Sequence, residues 1–154
     1  MSVAAEQAIR VAFIGGALHS AVGYTHFNAS RLDGFFSLEA GCFSRDANEN
    51  ARTAAAYGVP EDRNYTDWQA MLAAEQGRVD AVIVLTPTPS HAEIVCKALD
   101  AGYPVICEKA LGTSVEECER IQATVARNNG YLAVTYNYSC LLYTSPSPRD
   151  LSTS

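Results

Sequence analysis

Short apolar runs alternate with longer amphipathic stretches from Arg10 to Tyr136, the pattern of parallel strands joined by crossover helices. Val11 to Ile14 reads as a first strand, broken by a turn at Gly15-Gly16. A helix through Thr25 to Leu32 then stops at Asp33-Gly34. Phe36 to Phe43 reads as the second strand, and Ala47 to Tyr57 as an alanine-rich helix closed by Gly58 and Pro60. Asn64 to Thr66 reads as a brief third strand, with Asp67 capping a helix that begins at Trp68. The run Asp80 to Thr86 has no polar alternation, which suits a central strand buried on both faces. A helix follows Pro87, opened either by Thr88 with Pro89 at its first position or by Ser90 with Glu93, and closed at Gly102. Pro104 to Glu108 is a fifth strand. Ser114 with Glu117 forms a capping box for a helix ending at Asn129-Gly130, and Tyr131 to Tyr136 is a sixth strand.

The expectation is therefore an α/β fold over residues 1–138: a Rossmann-type, doubly wound parallel sheet of about six strands. The pattern ends near Cys140, where Cys140-Leu-Leu-Tyr-Thr-Ser-Pro-Ser-Pro-Arg-Asp150 shows neither helical nor strand period. This run resembles the translation of a transposon-type sequencing adapter, so residues 139–154 are read as a non-native or disordered tail and left out of the fold.

Composition narrows the function classes. In 154 residues, 48% hydrophobic content allows a substantial core, and a net charge of −6 without any basic stripe argues against a nucleic-acid partner. No apolar run approaches membrane-spanning length, and the N-terminus lacks a secretory pattern. The expected protein is cytoplasmic and does not bind membranes. Five scattered cysteines form no C-x-x-C pair and suggest reduced thiols, with Cys42 and Cys107 acting as small hydrophobes in strands. His19 and His26 are two helical turns apart, too far to share an ion, and no metal site is expected.

In an open parallel sheet, ligands bind outside the carboxyl ends of the strands, and four features stand there. The turn at Gly15, Gly16 and Ala17, with Gly23 beyond it, lets backbone approach a pyrophosphate at a helix N-terminus and lets that helix lie against the sheet. Ser44 and Arg45 follow the second strand where an NAD-selective site places an acid; they favour a 2′-phosphate, hence NADP over NAD. Thr86 and Pro87 open a stiff loop leading to His91, which can line a nicotinamide pocket or simply pack. In the first turn of a helix its ring is expected to be neutral. Glu108 and Lys109 end the fifth strand; they are either a surface ion pair or a pocket pair in which the Lys109 ammonium stabilises charge developing on an alcohol oxygen.

Together these motifs resemble the N-terminal half of the Gfo/Idh/MocA oxidoreductases, the family of glucose-fructose oxidoreductase and inositol dehydrogenase. The likeness covers residues 9–138 and rests on six pieces. They are Phe13-Ile-Gly-Gly16 with Gly23, Tyr65-Thr-Asp-Trp-Gln-Ala-Met-Leu72, Asp80-Ala-Val-Ile-Val-Leu-Thr-Pro87 with His91, Ala98-Leu-Asp-Ala-Gly102, Val105-Ile-Cys-Glu-Lys109, and Tyr136-Asn-Tyr138. The resemblance implies an NAD(P)-dependent dehydrogenase or reductase acting on a sugar, inositol or related polyol, homo-oligomeric at full length. It makes Lys109 the catalytic lysine and the glycine turn the cofactor loop; Thr86, Pro87, His91 and Glu108, at the same strand ends, are also expected at the cofactor. Ala110 stands where the family has proline, which costs about 0.4–1 kcal/mol of preorganisation if the native φ suits proline. Ala17 and His19 replace glycines of many members. The family's second, α+β domain, carrying substrate contacts and the general acid/base, does not follow, so the chain is expected to be a catalytically incomplete fragment. The alternatives are a naturally short nucleotide-binding or sensor module without chemistry and, more remotely, a methyltransferase on a similar sheet.

Overall fold

A computed structural model describes residues 8–136. Tyr138, Cys140 and the tail boundary expected at residue 139 lie outside the described residues. Five parallel strands form one sheet: β1 (Ile9–Gly15), β2 (Phe36–Cys42), β3 (Ala81–Leu85), β4 (Val105–Glu108) and β5 (Leu132–Thr135), in the order β2-β1-β3-β4-β5. The chain reverses direction across the sheet between β1 and β3, which puts the switch point beside the glycine turn. Five helices make the crossovers: α1 (Ala21–Arg31), α2 (Ala47–Tyr57), α3 (Trp68–Ala74), α4 (His91–Asp100) and α5 (Val115–Asn128).

Side-chain alternation along the strands builds two cores. Ala12 and Ile14 of β1, with Val82, Val84, Val105 and Cys107, meet Met71 of α3, Val95 of α4 and Ile121 of α5. Val11, Phe13, Ala81, Ile83 and Leu85 point the other way, against Ala54 and Tyr57 of α2, with Phe27 of α1 packed alongside. All five residues of β3 are buried, as its unbroken apolar run requires. Burial pushes the Cys42 thiol up to about 11 and the Cys107 thiol up to about 12, so both behave as small apolar groups.

The brief third strand expected at Asn64 to Thr66 is a single bridge, Gly41 to Asn64, in which Tyr65 N–H donates to the Gly41 carbonyl, so the sheet has five strands rather than six. Polar side chains hold this segment beside β2. Asn50, 1% exposed, accepts from Phe43 N–H at 2.7 Å and donates to Asn64 Oδ1 and to the Tyr65 carbonyl, so the bend is held by an amide. A bulge between Val11 and Ala12 in the β1–β2 register leaves Glu39 without a partner across the ladder, and its carboxylate takes Arg63 at 2.8 Å.

Helix α1 begins four residues earlier than its apolar pattern suggests, because Ser20 caps it through Gly23 N–H and Gly23 sits inside the helix. The caps at Asp67 and Ser114 form as expected. Glu117 closes its box on Thr113 N–H and Oγ1. No box forms at Ser90, whose Oγ lies 2.8 Å from both Thr86 Oγ1 and the Pro87 carbonyl; a 3-10 turn over Thr88–Ser90 precedes α4.

Among the described residues no helix is long and apolar enough to cross a membrane. Two buried carboxylates make folding acid-sensitive. Burial alone would push Glu75 and Glu108 up, but hydrogen bonds from Arg63 and Tyr65 to the first, and from His26 and Thr135 to the second, outweigh it and hold both lowered. Their stabilisation is complete above the ordinary value of 4.5 and disappears as pH falls through the depressed values. Chemical denaturation midpoints are therefore expected to hold from pH 7 to about pH 5 and to drop below 4.5, with Glu75→Gln flattening that drop.

Candidate functional site

The carboxyl ends of β1, β2 and β3 open into a cleft of about 840 Å³ that collects Gly15, Gly16, Ala17, Ser44, Arg45, Thr86 and Pro87 from three separate stretches of sequence. The turn at its centre needs glycine for two reasons. Gly15 and Gly16 have φ of 83° and 79°, and a Cβ on Gly15 would stand 2.8 Å from the backbone of Leu85 and Thr86. Gly23 presses on the turn itself rather than on the sheet, since a Cβ there would fall within 2.5 Å of Gly16 O, C and Cα. With the helix seated this closely, Ser20 and Val22 at the start of α1 line the cleft, at the end of the helix where first-turn amides lack helical carbonyl partners. This backbone cradle fits a diphosphate.

Helix α2 supports the turn from below. Leu18 N–H donates to Thr53 Oγ1 at 3.2 Å and Tyr57 Oη donates to the Gly16 carbonyl at 3.2 Å. The Tyr57 ring stacks on Phe27 at 4.2 Å and meets the edge of Phe43 at 5.6 Å, joining α1, α2 and the end of β2 beneath the turn. Sequence reasoning missed both residues, though Thr53 and Tyr57 lie four apart on one helical face. It also missed Trp68, which lines the cleft together with Pro89 and Ile94.

His91, Glu108 and Lys109 do not line this cleft. His91 is 1% exposed, with Nδ1 2.7 Å from the Ala110 carbonyl and Nε2 2.6 Å from the Thr86 carbonyl. It ties the rim loop to the residue after Lys109. Each ring nitrogen faces a carbonyl, so whichever nitrogen carries a proton donates to one of them. Glu108, 6% exposed, spends both oxygens on the chain: Oε1 takes His26 Nε2 at 2.8 Å and Thr135 Oγ1 at 2.8 Å, and Oε2 takes Lys109 N–H at 3.2 Å. The Glu108 carboxylate thus links α1 to β4 and β5 by hydrogen bonds, and among the described residues it makes no ion pair with the Lys109 side chain. Lys109 is exposed. Gly15 is level with Leu85, and Val84 with Cys107, so Lys109 shares the rim of the glycine turn, two strand spacings or about 10 Å across the sheet.

A family model described as an oxidoreductase family with an NAD-binding Rossmann fold matches residues 9–136. The chain belongs to the Gfo/Idh/MocA oxidoreductases. Within this family, an oxidoreductase of Bacillus subtilis (strain 168) named YfiI is 38% identical over 135 residues, which are 85% of this chain and 34% of that protein. The structure of an inositol dehydrogenase homolog from Azotobacter vinelandii, complexed with NADH and myo-inositol, superposes with a TM-score of 0.82 at 36% identity, covering 87% of this chain and 36% of the other. A 3-ketoreductase from Actinomadura kijaniata, in complex with TDP-benzene and NADP, gives 0.72 at 26% identity, covering 94% and 42%. The chain spans 34% to 42% of the length of these relatives.

Proposed function

We propose that this chain is the cofactor-binding part of an NAD(P)-dependent dehydrogenase or reductase that moves hydride to or from a carbinol carbon of a sugar, inositol or related polyol. The observation that carries the reading is the shared rim: parallel register brings the Gly15-Gly16 turn, the Thr86-Pro87 loop and Lys109 to one edge of one sheet. The glycine cradle and the first turn of α1 hold the diphosphate, Thr86 and Pro87 wall the nicotinamide end, and Ser44 with Arg45 favours a 2′-phosphate, hence NADP over NAD. When bound, the nicotinamide supplies or accepts the hydride.

Lys109 then acts on the substrate. Its ammonium donates a hydrogen bond to the reacting oxygen and stabilises the negative charge that develops there as the carbinol is oxidised. His91, through Ala110, and Glu108, through the Lys109 amide, fix the backbone on either side of that lysine. The NADH and myo-inositol complex of the Azotobacter homolog supports a polyol as the substrate class. In this reading the working enzyme is a homo-oligomer whose substrate wall and general acid/base lie in a part of the protein outside this chain.

Titration tests the proposal directly. Trp68 is the only tryptophan and lines the cleft, so NADPH and NADH should each quench its emission saturably and gain nicotinamide fluorescence by energy transfer. The 154-residue chain is expected to bind both weakly and to reduce no sugar or inositol ketone above background. Absence of saturable binding by either nucleotide would refute the cofactor role; robust turnover would refute the incompleteness.

A further inference from the structure

We infer that Glu49, which does not itself line the cleft but holds the Ser44 hydroxyl that does, is a specificity-determining residue that holds down the preference for a 2′-phosphorylated cofactor; the inference rests on the NAD(P) reading above. Ser44 and Arg45 both line the cleft at the end of β2. The Ser44 hydroxyl, however, is already engaged: it accepts from Asp46 N–H at 3.1 Å and donates its proton to Glu49 Oε2 at 3.1 Å.

A hydroxyl has one proton to give. A phosphate monoester near neutral pH carries a charge of about −1.5 to −2 and seeks donors. To bond Ser44 it must take the proton now shared with Glu49, leaving two anions on one hydroxyl, about 5 Å apart. The N-terminus of α2 adds no compensating attraction, because Asp46 already caps it and Glu49 occupies its first turn. Arg45 is the opposing term. It is exposed and makes no ion pair among the described residues, which leaves its guanidinium to meet a phosphate.

A ribose 2′-hydroxyl meets the same residues differently. It brings its own proton, and the Glu49 carboxylate accepts it without repulsion. Glu49 therefore supplies, from the first turn of a helix, the acid that the end of β2 lacks. Cofactor choice becomes a contest between Arg45 and Glu49, and the geometry points to a protein that accepts both nucleotides.

The test is the ratio of NADPH to NADH affinity, measured by fluorescence titration on the 154-residue chain and its variants. Both titrations use one sample, so a loss of folded fraction cancels. Glu49→Gln and Glu49→Ala should each raise the ratio about tenfold, chiefly by tightening NADPH, and Arg45→Ala should lower it by a similar factor. A ratio unchanged within about twofold in both Glu49 variants would overturn the role of Glu49 while leaving the cofactor site standing. Failure of the unmodified chain to bind either nucleotide would overturn both.

Discussion

Gly23→Ala is expected to abolish nucleotide binding and to lower the melting temperature by on the order of 10 °C or more. In an ordinary helix interior this substitution stabilises by about 1 kcal/mol, because alanine loses less backbone entropy than glycine. Here the sign reverses. The new methyl would overlap Gly16 O, C and Cα, all backbone atoms of a turn that Tyr57 holds through the Gly16 carbonyl. Backbone cannot step aside as a side-chain tip can, so either α1 lifts from the turn or the turn opens, at a cost of about 3 kcal/mol or more. Either movement spoils the amide cradle. Gly58→Ala is the matched control: its φ is 75° with nothing within 4 Å, so it should cost only the left-handed penalty of about 1–2 kcal/mol and leave binding intact. Thermal melts followed by circular dichroism, with NADPH titration of each variant, decide the matter. A Gly23→Ala protein that melts normally and binds would show that the close helix seat is unnecessary.

Glu75→Ala should destabilise by about 3–5 kcal/mol, the range for removing one partner of a buried ion pair. Glu75 is 1% exposed. It takes Arg63 Nε at 3.2 Å and Nη2 at 2.5 Å, the Tyr65 hydroxyl at 2.8 Å, and Arg78 at 3.6 Å. Without it the Arg63 guanidinium, whose side chain is 12% exposed, keeps only Glu39, whose side chain is 32% exposed. The cost arises mainly from that stranded cation, so the double variant Arg63→Met with Glu75→Leu should recover most of the loss. Urea denaturation of the four proteins of this cycle measures the coupling. The consequence reaches the cleft, because the same network seats α3, which begins at Trp68 on the cleft wall. Weak coupling between Arg63 and Glu75, with both single variants near normal stability, would show that α3 is seated by its apolar face alone.

Much of this was legible in the chain because the relevant signals are local. Unbroken β-branched runs are read directly as buried parallel strands, and caps at Asp67 and Ser114 announce helices through one side chain and one amide. Glycines at Gly15 and Gly16 mark the turn because few other residues tolerate positive φ. The brief strand expected at Asn64 to Thr66 failed for a non-local reason. Its β propensity was outweighed by the Asn50 amide, which binds both Asn64 and the Tyr65 carbonyl from another helix. Glu108 shows the same limit. Adjacency to Lys109 suggested a pair, yet its true partner, His26, lies 82 positions earlier and meets it only because α1 packs across the sheet.

Local pattern by itself determined the alternation of strands and helices, the glycine turn, and the set of residues placed at strand ends, since each depends on backbone preference and burial within a few positions. Only the tertiary structure decided which of those residues share a cleft, which charges pair, and that the Ser44 hydroxyl answers to Glu49. Those outcomes depend on side chains from distant segments competing for the same protons and the same space, and sequence neighbours do not record that competition.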